Sequence, residues 1–99
     1  MDCKRVTSNW AKDFLNKNTE AILVDIRDKD CYETDHVQSA VHLSQETLSD
    51  FLKQTRMETP ILVMCYHGNS SQMIAQFLTE QGFQEVYSVD GGYEGWQAE

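Results

Sequence analysis

The stretch Ile61-Leu-Val-Met-Cys-Tyr-His-Gly-Asn-Ser-Ser71 decides how this chain folds. Its first four residues are continuous, apolar and partly β-branched, the pattern of a strand buried on both faces. Its last residues are polar and hydroxylated, and they lead into Ile74, Phe77 and Leu78, which are spaced to share one helical face. The same alternation extends outward. Ala21–Ile26 is a second continuous apolar run, Ala40–Leu43 and Val86–Val89 are shorter ones, and Lys4–Val6 is a weak one. Ala11, Phe14 and Leu15 share a face after Thr7 and Ser8, either of which suits a helix cap, and Leu48, Phe51 and Leu52 do so after Ser44. Gly82 stands where a helix C-terminus takes a left-handed residue. Strand and helix alternating at this spacing predict an α/β fold, a small parallel sheet with helices on both faces. Ligands of such sheets bind where strand C-termini meet helix N-termini, which singles out the turn after Met64.

Ninety-nine residues leave room for one core, so residues 1–99 read as a single domain. A hydrophobic content of 40%, with one Pro and five Gly, is neither disordered nor fibrous. The apolar run Ile61–Cys65 is far shorter than the roughly twenty residues that span a bilayer. No basic segment joined to an apolar one opens the chain, which therefore reads as soluble and cytoplasmic. The formal charge of −8 argues against nucleic acid or an anionic membrane as partner. All eight Lys and Arg residues lie at or before Arg56. Anion chemistry in the second half must then use backbone N–H groups, helix dipoles, or basic side chains folded over from the first half.

Three cysteines, Cys3, Cys31 and Cys65, form no C-x-x-C pair, which excludes a zinc ribbon or a dithiol redox motif. Cys65 differs from the others in its setting. It ends a buried strand, is followed by Gly68 and Asn69, which tolerate unusual backbone angles, and precedes Ser70 and Ser71 at a helix start. The first N–H groups of that helix lack intrahelical partners and would point at the centre of the loop. A ring of N–H donors around a thiol lowers its pKa and holds a bound anion. A cysteine ending a core strand is most often only a small buried hydrophobe. A purely structural turn, however, has no need of His, Asn and two Ser around one thiol. Cysteine phosphatases use a similar loop with an arginine six residues after the cysteine; Ser71 stands there instead, so the guanidinium clamp for phosphate is missing. A transfer centred on sulfur, with the terminal sulfur held by N–H donors, suits this cradle better.

The loop from Cys65 to Ser71, the strand Leu23-Val-Asp-Ile-Arg27 and the closing Asp90-Gly-Gly-Tyr-Glu-Gly-Trp96 together resemble the rhodanese family over nearly the whole chain. The resemblance implies a rhodanese-like, five-stranded, mainly parallel sheet flanked by helices. It also implies that Cys65 accepts the outer sulfur of thiosulfate as a persulfide, releases sulfite and passes the sulfur to cyanide or to a thiol or dithiol protein. In that family the residues Tyr66, His67, Gly68, Asn69, Ser70 and Ser71 cradle the persulfide. Many members carry a basic residue in or just after this loop, where the present chain has Gln72. Neither a metal nor an organic cofactor enters such a reaction.

The remaining polar residues have more ordinary readings. Asp25 and Arg27 end a buried strand near the same sheet edge: either Arg27 lends positive charge to the site, or the two form an ion pair or hydrogen-bond hub fixing neighbouring loops, and the resemblance also points to the structural role. Asp90-Gly91-Gly92 reads as a tight turn after the last strand, and Tyr93 and Trp96 as packing of a short helix. His67 sits two residues after Cys65, too close in sequence for easy imidazole–thiolate pairing, which leaves backbone spacing or substrate contact. His36, His42 and Cys31 fit no common metal spacing. Cys3 and Cys31 read as incidental. Two functions remain in view: a sulfurtransferase turning over through a Cys65 persulfide, and a non-turnover persulfide carrier or thiol-sensing module that docks on other proteins.

Overall fold

The computed structural model describes residues 4–98. Five strands form one parallel sheet: β1 (Lys4–Val6), β2 (Ile22–Asp25), β3 (Val41–His42), β4 (Ile61–Met64) and β5 (Val86–Val89), in the order β1-β5-β4-β2-β3. All four pairings are parallel, so the C-terminal ends of all five strands share one edge. The strands expected from sequence are present, β3 reduced to its two central residues. Between them run α1 (Ser8–Lys17), α2 (Lys29–Thr34), α3 (Gln45–Gln54), α4 (Ser70–Glu80) and α5 (Gly92–Ala98). Thr7, not Ser8, caps α1 by accepting from the Trp10 N–H. Gly82 adopts a φ of 115° after α4, which an L side chain would resist.

The period of two along each strand divides the core. Leu23, Leu62, Met64, Tyr87 and Val89 face one way, against Ala11 of α1, Tyr32 of α2 and Tyr93 of α5. Val24, Ile61, Val63 and Val86 face the other, against Leu48 and Phe51 of α3 and Ala75 and Leu78 of α4. Every residue of β4 is buried, because the strand has neighbours on both edges and helices on both faces.

This division creates a crevice. The chain leaves β2 towards α2 on one face, whereas it leaves β4, the adjacent strand, towards α4 on the other. The connections diverge, and a gap opens between the ends of β2 and β4 at the switch point of the sheet. Asp25 and Arg27 occupy the β2 side of that gap. Arg27 donates from Nε and Nη2 to both carboxylate oxygens of Asp25 at 2.8–3.1 Å, and both side chains are buried. Its Nη2 also donates to the carbonyl oxygen of Asp35 at 2.7 Å, just beyond α2. Burial alone would lower the Arg27 pKa, but the hydrogen bond and charge of Asp25 outweigh it and raise it, so the guanidinium stays charged.

Removing one member of a buried ion pair strands the other charge, at a cost of about 3–5 kcal/mol. A domain of this size has only about 5–15 kcal/mol to lose. We expect Asp25→Ala to lower the urea midpoint severely, and an apolar double replacement, Asp25→Leu with Arg27→Met, to recover a large part of it.

Candidate active site

Cys65 follows β4 directly, so the buried strand fixes its backbone at the edge of the crevice. The side chain is 5% exposed. It opens on a cavity of about 170 Å³ walled by Ile26 and Arg27 from the β2 side and by Tyr66, His67, Asn69 and Ser70 from its own loop. The loop curls back over the sulfur because Gly68 takes a φ of 93°. A Cβ on Gly68 would lie 2.8 Å from the backbone nitrogen of Gly91. Asn69, expected to share this freedom, has ordinary right-handed angles and caps α4 without a side-chain hydrogen bond. One left-handed residue suffices to close the turn.

The sulfur of Cys65 accepts the N–H of Gly68 at 3.1 Å and that of Ser71 at 3.3 Å. The hydroxyl of Ser71 also favours the thiolate, and it lies 2.7 Å from the hydroxyl of Ser88 on β5. Both serines are fully buried. The Ser71–Ser88 hydrogen bond fixes the Ser71 hydroxyl at the start of α4, next to the amide that donates to the sulfur. Burial pushes the Cys65 thiol up, but the Ser71 hydroxyl and the amides of Ser71, Gly68 and His67 outweigh it and hold the thiol below its ordinary value.

The last helix locks the cradle from behind. The N–H of Tyr93 donates to the carbonyl oxygen of Cys65 at 2.7 Å, and that of Glu94 to the carbonyl of Tyr66 at 3.3 Å. Gly92, with a φ of 56°, makes this approach feasible, since a Cβ there would overlap the Cys65 carbonyl. The Gly91-Gly92 turn expected after β5 is therefore also a backbone contact of the site. Gln72 adds a side-chain bond from Nε2 to the Gly68 carbonyl at 3.0 Å.

The other candidates divide clearly. His67 is exposed and sits with Nδ1 3.5 Å from the Glu94 carboxylate; its backbone amide, last of the groups that lower the Cys65 pKa, is its link to the thiol. Arg27 walls the cavity, but its hydrogen bonds go to Asp25 and Asp35 and its guanidinium lies 3.9 Å over the Tyr93 ring, as in the structural reading. His36 and His42 bond the carbonyls of Tyr32 and Arg27 and stack on the Tyr32 ring. Among the described residues no three His, Cys, Asp or Glu side chains gather as metal ligands. Cys31, read as incidental, instead hydrogen-bonds the Tyr66 hydroxyl beside the site. Cys3 lies outside the described residues. Ser88 escaped the sequence reading; a serine within the otherwise apolar run Val86–Val89 was the available signal.

The chain is similar to known proteins in sequence and in fold. The pattern of the rhodanese-like domain family matches residues 7–99. The chain is 55% identical over 75 residues to the thiosulfate sulfurtransferase GlpE of Tolumonas auensis, covering 76% of this chain and 71% of that protein. It is 49% identical over 84 residues to the thiosulfate sulfurtransferase GlpE of Coxiella burnetii, covering 85% and 78%. A rhodanese-like domain of an Anabaena protein, solved in solution, superposes with a TM-score of 0.84 at 21% identity, covering 99% of this chain and 75% of that one; this likeness concerns the fold.

The donor ring can be read by alkylation. The rate of Cys65 modification by iodoacetamide, followed by peptide mass, should inflect below the ordinary thiol range of about 8.5. Ser71→Ala removes a donor that favours the thiolate, so the inflection should move up. Its rate at pH 7 should fall about tenfold, the low end for losing a hydrogen bond to a charged group.

Proposed function

Since the chain belongs to the rhodanese-like domain family, we propose that it is a thiosulfate sulfurtransferase whose residues 1–99 act as one domain through a persulfide on Cys65. The observation that carries this reading is a thiol held below its ordinary pKa by a ring of donors, facing a cavity of about 170 Å³. The Cys65 thiolate attacks the outer sulfur of thiosulfate. A new S–S bond forms at Sγ, the S–S bond of thiosulfate breaks, and sulfite leaves with the electron pair. The transferred sulfur then occupies the cavity between Cys65 and the loop from Tyr66 to Ser71. N–H groups of that loop face its negative charge, each such hydrogen bond to a charged group contributing about 1.5–3 kcal/mol. Cyanide or a thiolate attacks the outer sulfur in turn, and the Cys65 thiolate returns. Electron pairs move only between sulfur and the attacking atom, so no step calls for a metal or organic cofactor. Two half-reactions sharing one covalent intermediate give ping-pong kinetics.

Two features separate this site from a phosphate-transferring one. Ser71 stands where a clamping arginine would be, and its hydroxyl is hydrogen-bonded to Ser88. Arg27, the basic side chain of the cavity wall, is held bidentately by Asp25. Free thiols at Cys31 and Cys65 suit a reducing compartment, and we assign the protein to the cytoplasm on that basis. No helix among the described residues is long and apolar enough to cross a membrane.

Intact mass after thiosulfate treatment should rise by one sulfur, mapped to Cys65. Cys65→Ser should abolish both the gain and thiocyanate formation, while Cys31→Ser keeps turnover. One equivalent taken up without turnover would mark a carrier instead of an enzyme.

A chain of charge −8 repels a dianion, and salt with a Debye length of about 10 Å at 0.1 M screens that repulsion. The initial rate at low thiosulfate should therefore rise with ionic strength. Gln72→Lys, which puts a cation beside Gly68, should raise the low-salt rate and flatten the salt dependence. A wild-type rate that falls steeply with salt would instead give Arg27 command of anion capture.

A further inference from the structure

The cavity over Cys65 is not isolated. Through Arg27 and Tyr66 it adjoins a larger cavity of about 400 Å³, and through Ile26 and Ser70 it adjoins a groove of about 310 Å³ between α3 and α4. These two neighbours differ in charge. The groove is lined by Ile26, Leu43, Leu48, Met73, Ile74 and Phe77, and Met73 is 75% exposed. The larger cavity is rimmed by the carboxylates of Asp30, Asp35 and Glu94, all exposed. Arg27, the basic residue of its lining, has its charge matched by Asp25. The thiol thus lies between an apolar surface and an acidic one, reached through different walls of its own cavity.

Thiosulfate and cyanide are too small to touch either surface once they reach the sulfur. A polypeptide thiol is not. Cys65 is almost wholly covered, so an acceptor thiol must project from a chain segment, and the residues flanking it must lie over the groove and the acidic cavity. Resting on the persulfide reading above, in which a thiol protein accepts the sulfur, we propose that the accepting thiol lies on a projecting segment with an apolar residue on one flank and a basic residue on the other. The apolar flank seats against Met73, Ile74 and Phe77. The basic flank meets Asp30, Asp35 and Glu94.

In the transfer step the acceptor thiolate attacks the outer sulfur of the Cys65 persulfide. A bond forms between acceptor sulfur and outer sulfur, and the bond from outer sulfur to Sγ breaks. The electron pair returns to Sγ, so the Cys65 thiolate reappears as the acceptor becomes a persulfide. No oxidant is consumed.

The test loads the full chain with thiosulfate, removes excess reagent and follows loss of the Cys65-bound sulfur by intact mass. Acceptors are short single-cysteine peptides carrying Leu on one flank and Lys on the other, in both chain directions, with controls in which Lys becomes Glu or Leu becomes Ser. The better direction of the Leu/Lys pair should discharge the persulfide about tenfold faster than the Ser control, the low end for losing one apolar group from a pocket, and faster than the Glu control, whose charge the carboxylates repel. Met73→Glu should abolish the advantage of Leu over Ser, and Asp30→Lys should reverse the preference for Lys over Glu. Cyanide is an anion and feels the added charges only through the long-range field, so its discharge rate in both variants, compared at high salt, should match the wild type. Equal rates for all peptides, or variants that slow cyanide as much as they slow the Leu/Lys peptide, overturn the proposal while leaving the persulfide intact. A chain that takes up no sulfur overturns the underlying reading as well.

Discussion

Arg27 ties together parts of the chain that are distant in sequence. Its guanidinium bonds Asp25 at the end of β2 and the Asp35 carbonyl beyond α2, and it lies over the Tyr93 ring of α5 and near the Tyr66 ring of the Cys65 loop. In a sheet whose connections diverge at this point, something must fill the gap between β2 and β4. An apolar plug would fill it with less desolvation cost, because taking two charges out of water is expensive. The ion pair does what a plug cannot: its directional bonds orient three walls of the crevice at once. The positive charge beside the thiol is thereby largely spent on structure, which leaves anion recognition to the backbone of the loop.

That backbone is itself fixed by close packing of peptide against peptide. Gly68 faces Gly91, and Gly92 faces the Cys65 carbonyl, at separations that admit no Cβ. The Tyr93 N–H completes the contact. With both sides held, the amides of Gly68 and Ser71 aim at the sulfur before any substrate arrives. Preorganised donors of this kind need no rearrangement when charge moves onto a terminal sulfur.

The elements with strong periodicity were legible in the sequence. Ile61–Met64 and Val86–Val89 are strands with those bounds, the helices after Thr7 and Ser44 begin at the next residue, and α4 begins at Ser70 itself, with Asn69 as its cap. The short helix α2 was not legible, since Lys29–Thr34 buries no residue fully and so carries no apolar stripe. Cys65 and its loop were legible because polar residues interrupt a buried strand–helix junction. The partners of that loop were not. Ser88 joins Ser71 across a separation of 17 residues, and the Cys31–Tyr66 contact spans 35. Such pairings are created by the order of strands in the sheet, which local pattern does not encode. Asn69 shows the reverse error, a residue tolerant of unusual angles that is not asked to adopt them.

The clamp on the Cys65 carbonyl has a consequence for a chain made from its N-terminus onward. Cys65 leaves the ribosome well before residues 91–94, yet those residues close the back of its cradle, and Ser88 supplies the hydroxyl behind Ser71. Domains generally fold as units during synthesis. Until β5 and the start of α5 have docked, the cysteine is a thiol without its full set of donors, and its reactivity is that of any other. Thiolate character therefore arrives together with the completed fold: a nascent or partly unfolded chain carries a more open thiol, but one whose pKa is ordinary.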